Sequence, residues 1–327
     1  MKTLVTGGTG FLGRAVVESL LAGGHAVRVL VRDPRVRLAE GAERAVGDLG
    51  ATEGLEAALE GVDAVLHLAG MVSRDPKDAS AMHEIHVQGT KRLLDAMEAR
   101  AVRRLVLAST SGTIAVSKTA RIATEAHDAP LEIIGRWPYY MSKRLEEKEV
   151  LSRDAKDRIE AVVLNPSLLL GPGDERGSSS GDVLKILHRR LPALTEGTVA
   201  LVDVRDVAPA FVAALERGRR GQRYLLNGAN MSVRSFVERV ALAGDVGAPK
   251  LRLPERWAKA SARLIEGVYE VVDRVPPIDA VSVEMGCHHW GCSSKKASTE
   301  LGFVARDPGE TIHETVRDLA RRGLFRR

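Results

Sequence analysis

The chain has 327 residues, 44% hydrophobic and 28% charged, with 48 Lys+Arg against 43 Asp+Glu for a formal charge of +5. That balance describes a globular protein able to bury a full core, as one large domain or two unequal ones. Nothing supports nucleic-acid or membrane partners: aromatics are 4%, no basic stripe with interleaved rings occurs, no apolar run of about 18 residues is present, no cleavable leader precedes the first strand, and two cysteines fit a reducing, cytoplasmic setting.

Lys2–Thr6 is a short apolar run that breaks into Gly7, Gly8, Gly10 and Gly13 and then into helical spacing over Phe11–Leu21. A strand, a glycine turn and a helix in that order open a dinucleotide site. The glycines permit a tight turn and let the backbone touch a pyrophosphate, while the helix N-terminus offers free N–H groups to the anion. Gly7, Gly10, Phe11, Leu12 and Gly13 are therefore candidate cofactor-binding residues. The second strand, Ala26–Val31, ends in Arg32-Asp33-Pro34. An acidic residue at that strand end would bind the adenosine ribose hydroxyls, whereas Arg pairs with a 2′-phosphate. Arg32 holds the place, which favours NADPH and leaves NAD as the alternative.

A short third strand, Arg44–Val46, closes on Gly47-Asp48-Leu49, where Asp48 and Leu49 are placed to meet the adenine. Then come a helix over Thr52–Leu59 that Thr52 could cap, a strand over Asp63–Leu68 running into Ala69 and Gly70, and a long helix over Ala81–Ala99. Arg104–Ala108, Tyr139–Leu151 and Ile159–Leu164 read as strand, helix and strand. Regular alternation of this kind predicts an α/β fold with a doubly wound parallel sheet, the Rossmann arrangement.

After Asn165-Pro166 the alternation stops and turn residues punctuate the chain. The expected division is a dinucleotide-binding domain over 1–165 and a mainly substrate-binding region over 166–327, with segments such as 199–228 returning to the first. Helices are expected at Asp206–Glu216, Val233–Ala243, Pro254–Val275, Lys295–Leu301 and Thr311–Arg322 among irregular segments. Trp257, Leu264, Ile265 and Tyr269 give the third of these an apolar face, for the core or for a pocket. The glycine- and serine-rich stretch Gly171–Asp182 has little to bury and is expected to be a mobile cover over the site. Cys287-His-His-Trp-Gly-Cys292 matches no zinc spacing, so no metal is expected and a strand beside the terminal helix is.

Tyr139 and Lys143 lie four apart, on one face of a helix. A neighbouring ammonium favours the phenolate, so Lys143 is expected to lower the Tyr139 pKa and fit it for proton transfer to a carbonyl/alcohol pair. Hydroxyls from Ser109-Thr110-Ser111, at the end of the fifth strand, could hold the substrate oxygen.

The chain resembles the extended short-chain dehydrogenases/reductases of the NAD(P)-dependent epimerase/dehydratase type. The matching residues are Thr6–Gly13, Gly47–Leu49, His67–Gly70, Val87–Thr90, Ser109–Ser111, Tyr139–Lys143, Asn165–Ser167 with Gly171–Asp174, Asp203–Val207, and Ser294–Ala297 with Glu300–Phe303. The stretches 31–34 and 111–113 look most like the dihydroflavonol-reductase and hydroxysteroid-dehydrogenase branch. The resemblance implies that Thr110 takes the place of the usual catalytic Ser, with Ser111 and Ser109 as alternatives. It further implies that Tyr139 transfers the proton, that Lys143 also holds the nicotinamide ribose, and that Leu68, Ala69, Gly70, Asn165 and Ser167 line the cofactor. Tyr140 becomes a pocket wall, His67 is structural, and His86 stands where relatives carry an Asn in a proton path. The activity implied is NADPH-dependent interconversion of a carbonyl and an alcohol on a small or medium organic substrate, in a protein that fits a homodimer. The alternatives are a nucleotide-sugar epimerase or dehydratase with tightly held NAD, and a non-catalytic dinucleotide sensor.

Overall fold

The computed structural model describes residues 1–191, 193–258, 260, 261, 264, 269 and 279–326. Among these the strands are β1 (Lys2–Thr6), β2 (Ala26–Val31), β3 (Glu43–Val46), β4 (Ala64–His67), β5 (Arg104–Ala108), β6 (Glu160–Pro166), β7 (Leu168–Leu170), β8 (Thr198–Asp203), β9 (Gln222–Leu226) and β10 (Ala229–Ser232). Seven of them form one parallel sheet in the order β3-β2-β1-β4-β5-β6-β9. The order reverses between β1 and β4, and ligands of such sheets bind in the crevice beyond the carboxyl ends at that point. β10, β8 and β7 make a second, three-stranded sheet.

The helices are α1 (Phe11–Ala22), α2 (Leu55–Ala58), α3 (Ala79–His83), α4 (Thr90–Ala99), α5 (Leu131–Ile134), α6 (Pro138–Ala155), α7 (Gly181–Leu187), α8 (Val204–Arg217) and α9 (Val233–Ala243), followed by Ala280–Gly286, Lys295–Leu301 and Pro308–Arg321. The central strands are apolar almost throughout because helices cover both faces of the sheet. On one face, Val16, Val17 and Leu20 of α1 join Phe211 of α8 and Leu301 in a single core. On the other, Leu55, Leu93, Met97 and Val150 bring in α2, α4 and α6. A third core, with Leu187, Phe236, Val240, Ile312 and Val316, stands behind the small sheet.

Several expectations are corrected. The helix expected over Thr52–Leu59 is one turn, and it starts from Gly54 at φ 85° instead of a Thr52 cap. The helix over Ala81–Ala99 is three pieces, because a π-helical turn, Glu84–Gly89, interrupts it. The region after Pro166, read as irregular and helical, contains the four short strands β7 to β10. At three to six residues each, with polar ends in β9 and β10, they offer too few alternations to stand out. No strand forms at Cys287–Cys292; single bridges tie His289 to Ser117 and Cys292 to Ala123 instead. Much of the helix expected over Pro254–Val275, Ile265 included, lies outside the described residues.

Candidate active site

The carboxyl ends of β1, β4 and β5 open into a cleft of 1350 Å³. Gly7 leaves β1 with φ 70°, and a Cβ there would stand 2.6 Å from the Ala69 nitrogen and the Leu68 carbonyl. Any side chain at Gly13 would overlap the Gly7 carbonyl, so α1 crosses the turn at a distance only glycine permits. Gly10 caps α1 without a side chain. The first-turn amides are thus left to an outside acceptor, at the positive end of the helix dipole. This shape and donor set fit a pyrophosphate. Gly7, Gly10, Phe11, Leu12 and Gly13 all line the cleft, as do Leu68, Ala69, Gly70 and Ser167.

Arg32 also lines the cleft, with Arg37 nearby. Asp33 is turned to Arg35, accepting from its backbone N–H at 2.9 Å and from its guanidinium at 3.1 and 3.3 Å. Those bonds hold the Asp33 carboxyl below the usual range. Asp48, Leu49 and Asn165 are not among the residues that line this cleft. Asp48 accepts from the Gly50 N–H at 2.7 Å in its own turn, and Leu49 is buried in the core. Asn165 is fully buried and bonds the Thr110 carbonyl, the Thr113 hydroxyl and Glu147 at 3.1, 3.1 and 2.6 Å. It fixes the β5 loop without facing the cavity.

Thr110, Tyr139 and Lys143 converge on the cleft. Thr110 ends the extended stretch after β5 and accepts from the Gly112 N–H at 3.3 Å. Its hydroxyl lies near enough to the Tyr139 phenol to favour the phenolate. Ser111 lines the cleft beside it, while Ser109 donates to the buried carboxylate of Glu147. Pro138 sets the first turn of α6, so Tyr139 and Lys143 share its inner face. Tyr140 lies against Gly112, where a Cβ would collide with its ring, and against Trp290 at 5.2 Å between centroids.

Lys143 is buried, donates to the Ala108 carbonyl at 2.7 Å and pairs with the buried carboxylate of Glu146. The Tyr139 pKa is raised, against the expectation: burial pushes it up first, with Tyr140 and Glu146 adding, and the nearby Thr110 hydroxyl opposes them. The ammonium that should have lowered it faces Glu146. Glu146 itself is raised to about 7 by burial, against the pull of Lys143.

Sequence reasoning missed Glu146 and the chain of bonds behind it. Thr90 donates to Glu146 at 3.1 Å and so takes the His67 Nε2–H at 2.8 Å. His67 Nδ1 is then the acceptor for the Thr6 hydroxyl at 2.6 Å, and Thr6 receives the Ala69 N–H at 3.2 Å. His67 stays neutral, its pKa lowered to about 3 by burial. The π-helical turn carries His86 inward, where Nε2 accepts from the Met71 N–H at 3.0 Å and Nδ1 meets the Ser142 hydroxyl at 2.8 Å. Both ring nitrogens are engaged, and burial lowers this pKa to about 2. A Glu at i+3 from a catalytic-type Lys was the signal available in the sequence.

Glycine cradle, doubly wound sheet and a Thr-Tyr-Lys cluster at the strand ends together define a dinucleotide-dependent oxidoreductase. The chain belongs to the NAD dependent epimerase/dehydratase family, whose model matches residues 3–226. It is an NAD(P)-dependent enzyme of the extended short-chain dehydrogenase/reductase type. It is 31% identical over 325 residues to a putative dihydroflavonol 4-reductase of Synechocystis sp., covering 96% of this chain and 92% of that one. It is 29% identical to sterol demethylase protein B of Methylococcus capsulatus, covering 99% and 100% of the two chains. Among solved structures, gox2253 is similar with a TM-score of 0.85 and 30% identity over 99% of both chains. No helix among the described residues is long and apolar enough to cross a membrane, and no cluster of metal-ligating side chains is found among them.

Proposed function

We propose that the protein is an NADPH-dependent carbonyl reductase, reversibly a dehydrogenase. The observation that carries this reading is that Thr110, Tyr139 and the buried Lys143 line the same dinucleotide cleft, the last two from one helix. The bound nicotinamide supplies or accepts the hydride. Thr110 and Tyr139 hold the carbonyl oxygen, and Tyr139 gives it the proton as general acid. Its raised pKa suits that direction, because the phenol keeps its proton until the carbonyl oxygen gains charge. Lys143 holds the nicotinamide ribose by this reading, at the cost of loosening its pair with Glu146. Arg32, with Asp33 diverted to Arg35, supports NADPH over NADH. The reductase name of the Synechocystis relative supports the same reaction class.

The test is NADPH oxidation with a panel of ketones and aldehydes, wild type against Tyr139→Phe. Turnover in the variant is expected to fall about 100-fold or more with NADPH affinity kept, the loss expected on removing a general acid. Tyr140→Phe outranking Tyr139→Phe in severity would refute the assignment of roles.

A further inference from the structure

The cofactor cleft does not end at Tyr139. Beyond Tyr140 it borders a second cavity of 230 Å³, and Arg74, Tyr140, Leu168, Asp182, Lys185, Met285 and Trp290 line both. The walls of this inner chamber come from the C-terminal part of the chain: Ile186 of α7, Val199 of β8, Val233 and Phe236 of α9, with Leu194 and Leu253. Its polar groups among the described residues are few, and the charged ones stand together at the mouth. There Arg74 grips Asp182 with two bonds, 2.8 and 2.6 Å, and reaches the Ser282 hydroxyl at 2.9 Å. Lys185 lies 3.8 Å from Asp182 and 3.4 Å from Asp279. Among the described residues two cations are thus matched by two carboxylates, and no net charge is left to receive an anion.

We propose that this chamber binds the apolar body of the substrate, a neutral lipophilic carbonyl compound whose oxygen sits at Thr110 and Tyr139. The inference rests on the reductase reading above for the position of that oxygen. Two observations choose the occupant. The lining is aliphatic and aromatic with mutually neutralised charges, which suits hydrocarbon and disfavours the diphosphate of a nucleotide sugar, whose burial without unpaired cations is costly. The chamber also adjoins the reacting end, since Tyr140, Trp290, Arg74 and Asp182 line both cavities. Its volume, below the roughly 300–1,000 Å³ of a whole ligand site, suits the tail of a molecule whose head lies elsewhere. At about 30 Å³ per water-sized group it holds about eight such groups.

The experiment uses the full chain with NADPH and straight-chain methyl ketones of increasing length. Expected kcat/KM rises about threefold to fourfold per added methylene, the factor for burying one, and levels off at about eight carbons beyond the carbonyl. Val199→Phe and Val233→Phe, which fill the chamber from two different elements, are expected to flatten that rise. In parallel, the neutral fluorescent probe N-phenyl-1-naphthylamine is expected to bind, to be displaced by the long ketones, and to bind at least tenfold less well to either variant. This arm needs no turnover. Probe binding and displacement without any NADPH oxidation would fail the reductase reading and keep the chamber. Turnover that is flat with chain length, probe binding unchanged in a folded filling variant, or displacement of the probe by UDP-glucose would each overturn the proposal. A variant that fails to fold leaves the other variant and the chain-length series to decide it.

Discussion

At the scale of single residues, two side chains separate the roles of binding and proton control. Arg32 reaches the cofactor cleft while its neighbour Asp33 is held by Arg35. Arg32→Ala is expected to weaken NADPH about tenfold to a hundredfold, the scale of a charge-assisted contact, and to leave NADH nearly unchanged. Titrating both cofactors against both proteins decides it; equal losses would show that Arg32 does not read the 2′-phosphate. Glu146 acts on Tyr139 from behind, since its carboxylate raises the phenol pKa and occupies the Lys143 ammonium. Glu146→Gln takes that carboxylate away and leaves the ammonium free to favour the phenolate. Carbonyl reduction needs the protonated phenol, so the alkaline limb of kcat/KM against pH is expected to move to lower pH in the variant. A limb that stays in place, or moves up, would remove Glu146 from the control of Tyr139.

At the scale of elements, the sequence was most readable where one helix or strand carries its own repeat. β1, α1, β2 and β5 lie where apolar runs and glycines put them, and α9 and Lys295–Leu301 match their expected bounds. The bonds of the Asn165 side chain to the loop after β5 are a tertiary choice that no local pattern encodes. Gly171–Asp182 was read as slack, yet Asp174 is buried and gathers the N–H groups of Ser178, Ser179 and Ser180 at 3.2, 2.8 and 2.8 Å, so the stretch is a closed set of turns. The π-helical turn is a similar case, since one extra residue inside a helical pattern leaves no signature in apolar spacing.

That turn, with the end of β4, has a thermodynamic consequence. His67 and His86 are buried with pKa values lowered to about 3 and about 2, while an unfolded His titrates near 6.5. Folded values below the unfolded one mean that the unfolded chain takes up these protons first as the solution is acidified. The stability tied to their neutrality is whole above about pH 6.5 and drains as the pH falls from there toward 3. His86→Asn is expected to flatten the acid side of the stability curve by about 1.4 kcal/mol per pH unit, one proton's share. Urea unfolding between pH 4.5 and 6.5 measures the slope; parallel curves would place the proton uptake elsewhere.

At the scale of the whole molecule, the main sheet is finished by a strand that comes late. β6 ends at Pro166, yet its neighbour β9 begins only at Gln222, after the chain has built β7, α7, β8 and α8. A fragment ending at Pro166 would expose the hydrogen-bonding edge of β6, an invitation to self-association. Residues 1–166 made alone are therefore expected to aggregate or to lack a cooperative unfolding transition, whereas residues 1–228 should retain measurable helix and sheet; circular dichroism and light scattering on the two fragments compare them. A soluble, cooperatively folded 1–166 would show that the sheet stands without its last strand.

The same late strand sets a clock during biosynthesis. Chain growth at about 5–20 residues per second leaves the β6 edge bare for roughly 3–11 seconds before β9 leaves the ribosome. Completion of the sheet is then gated by translation, and the nascent chain passes through an interval in which the β6 edge has no strand of its own to pair with.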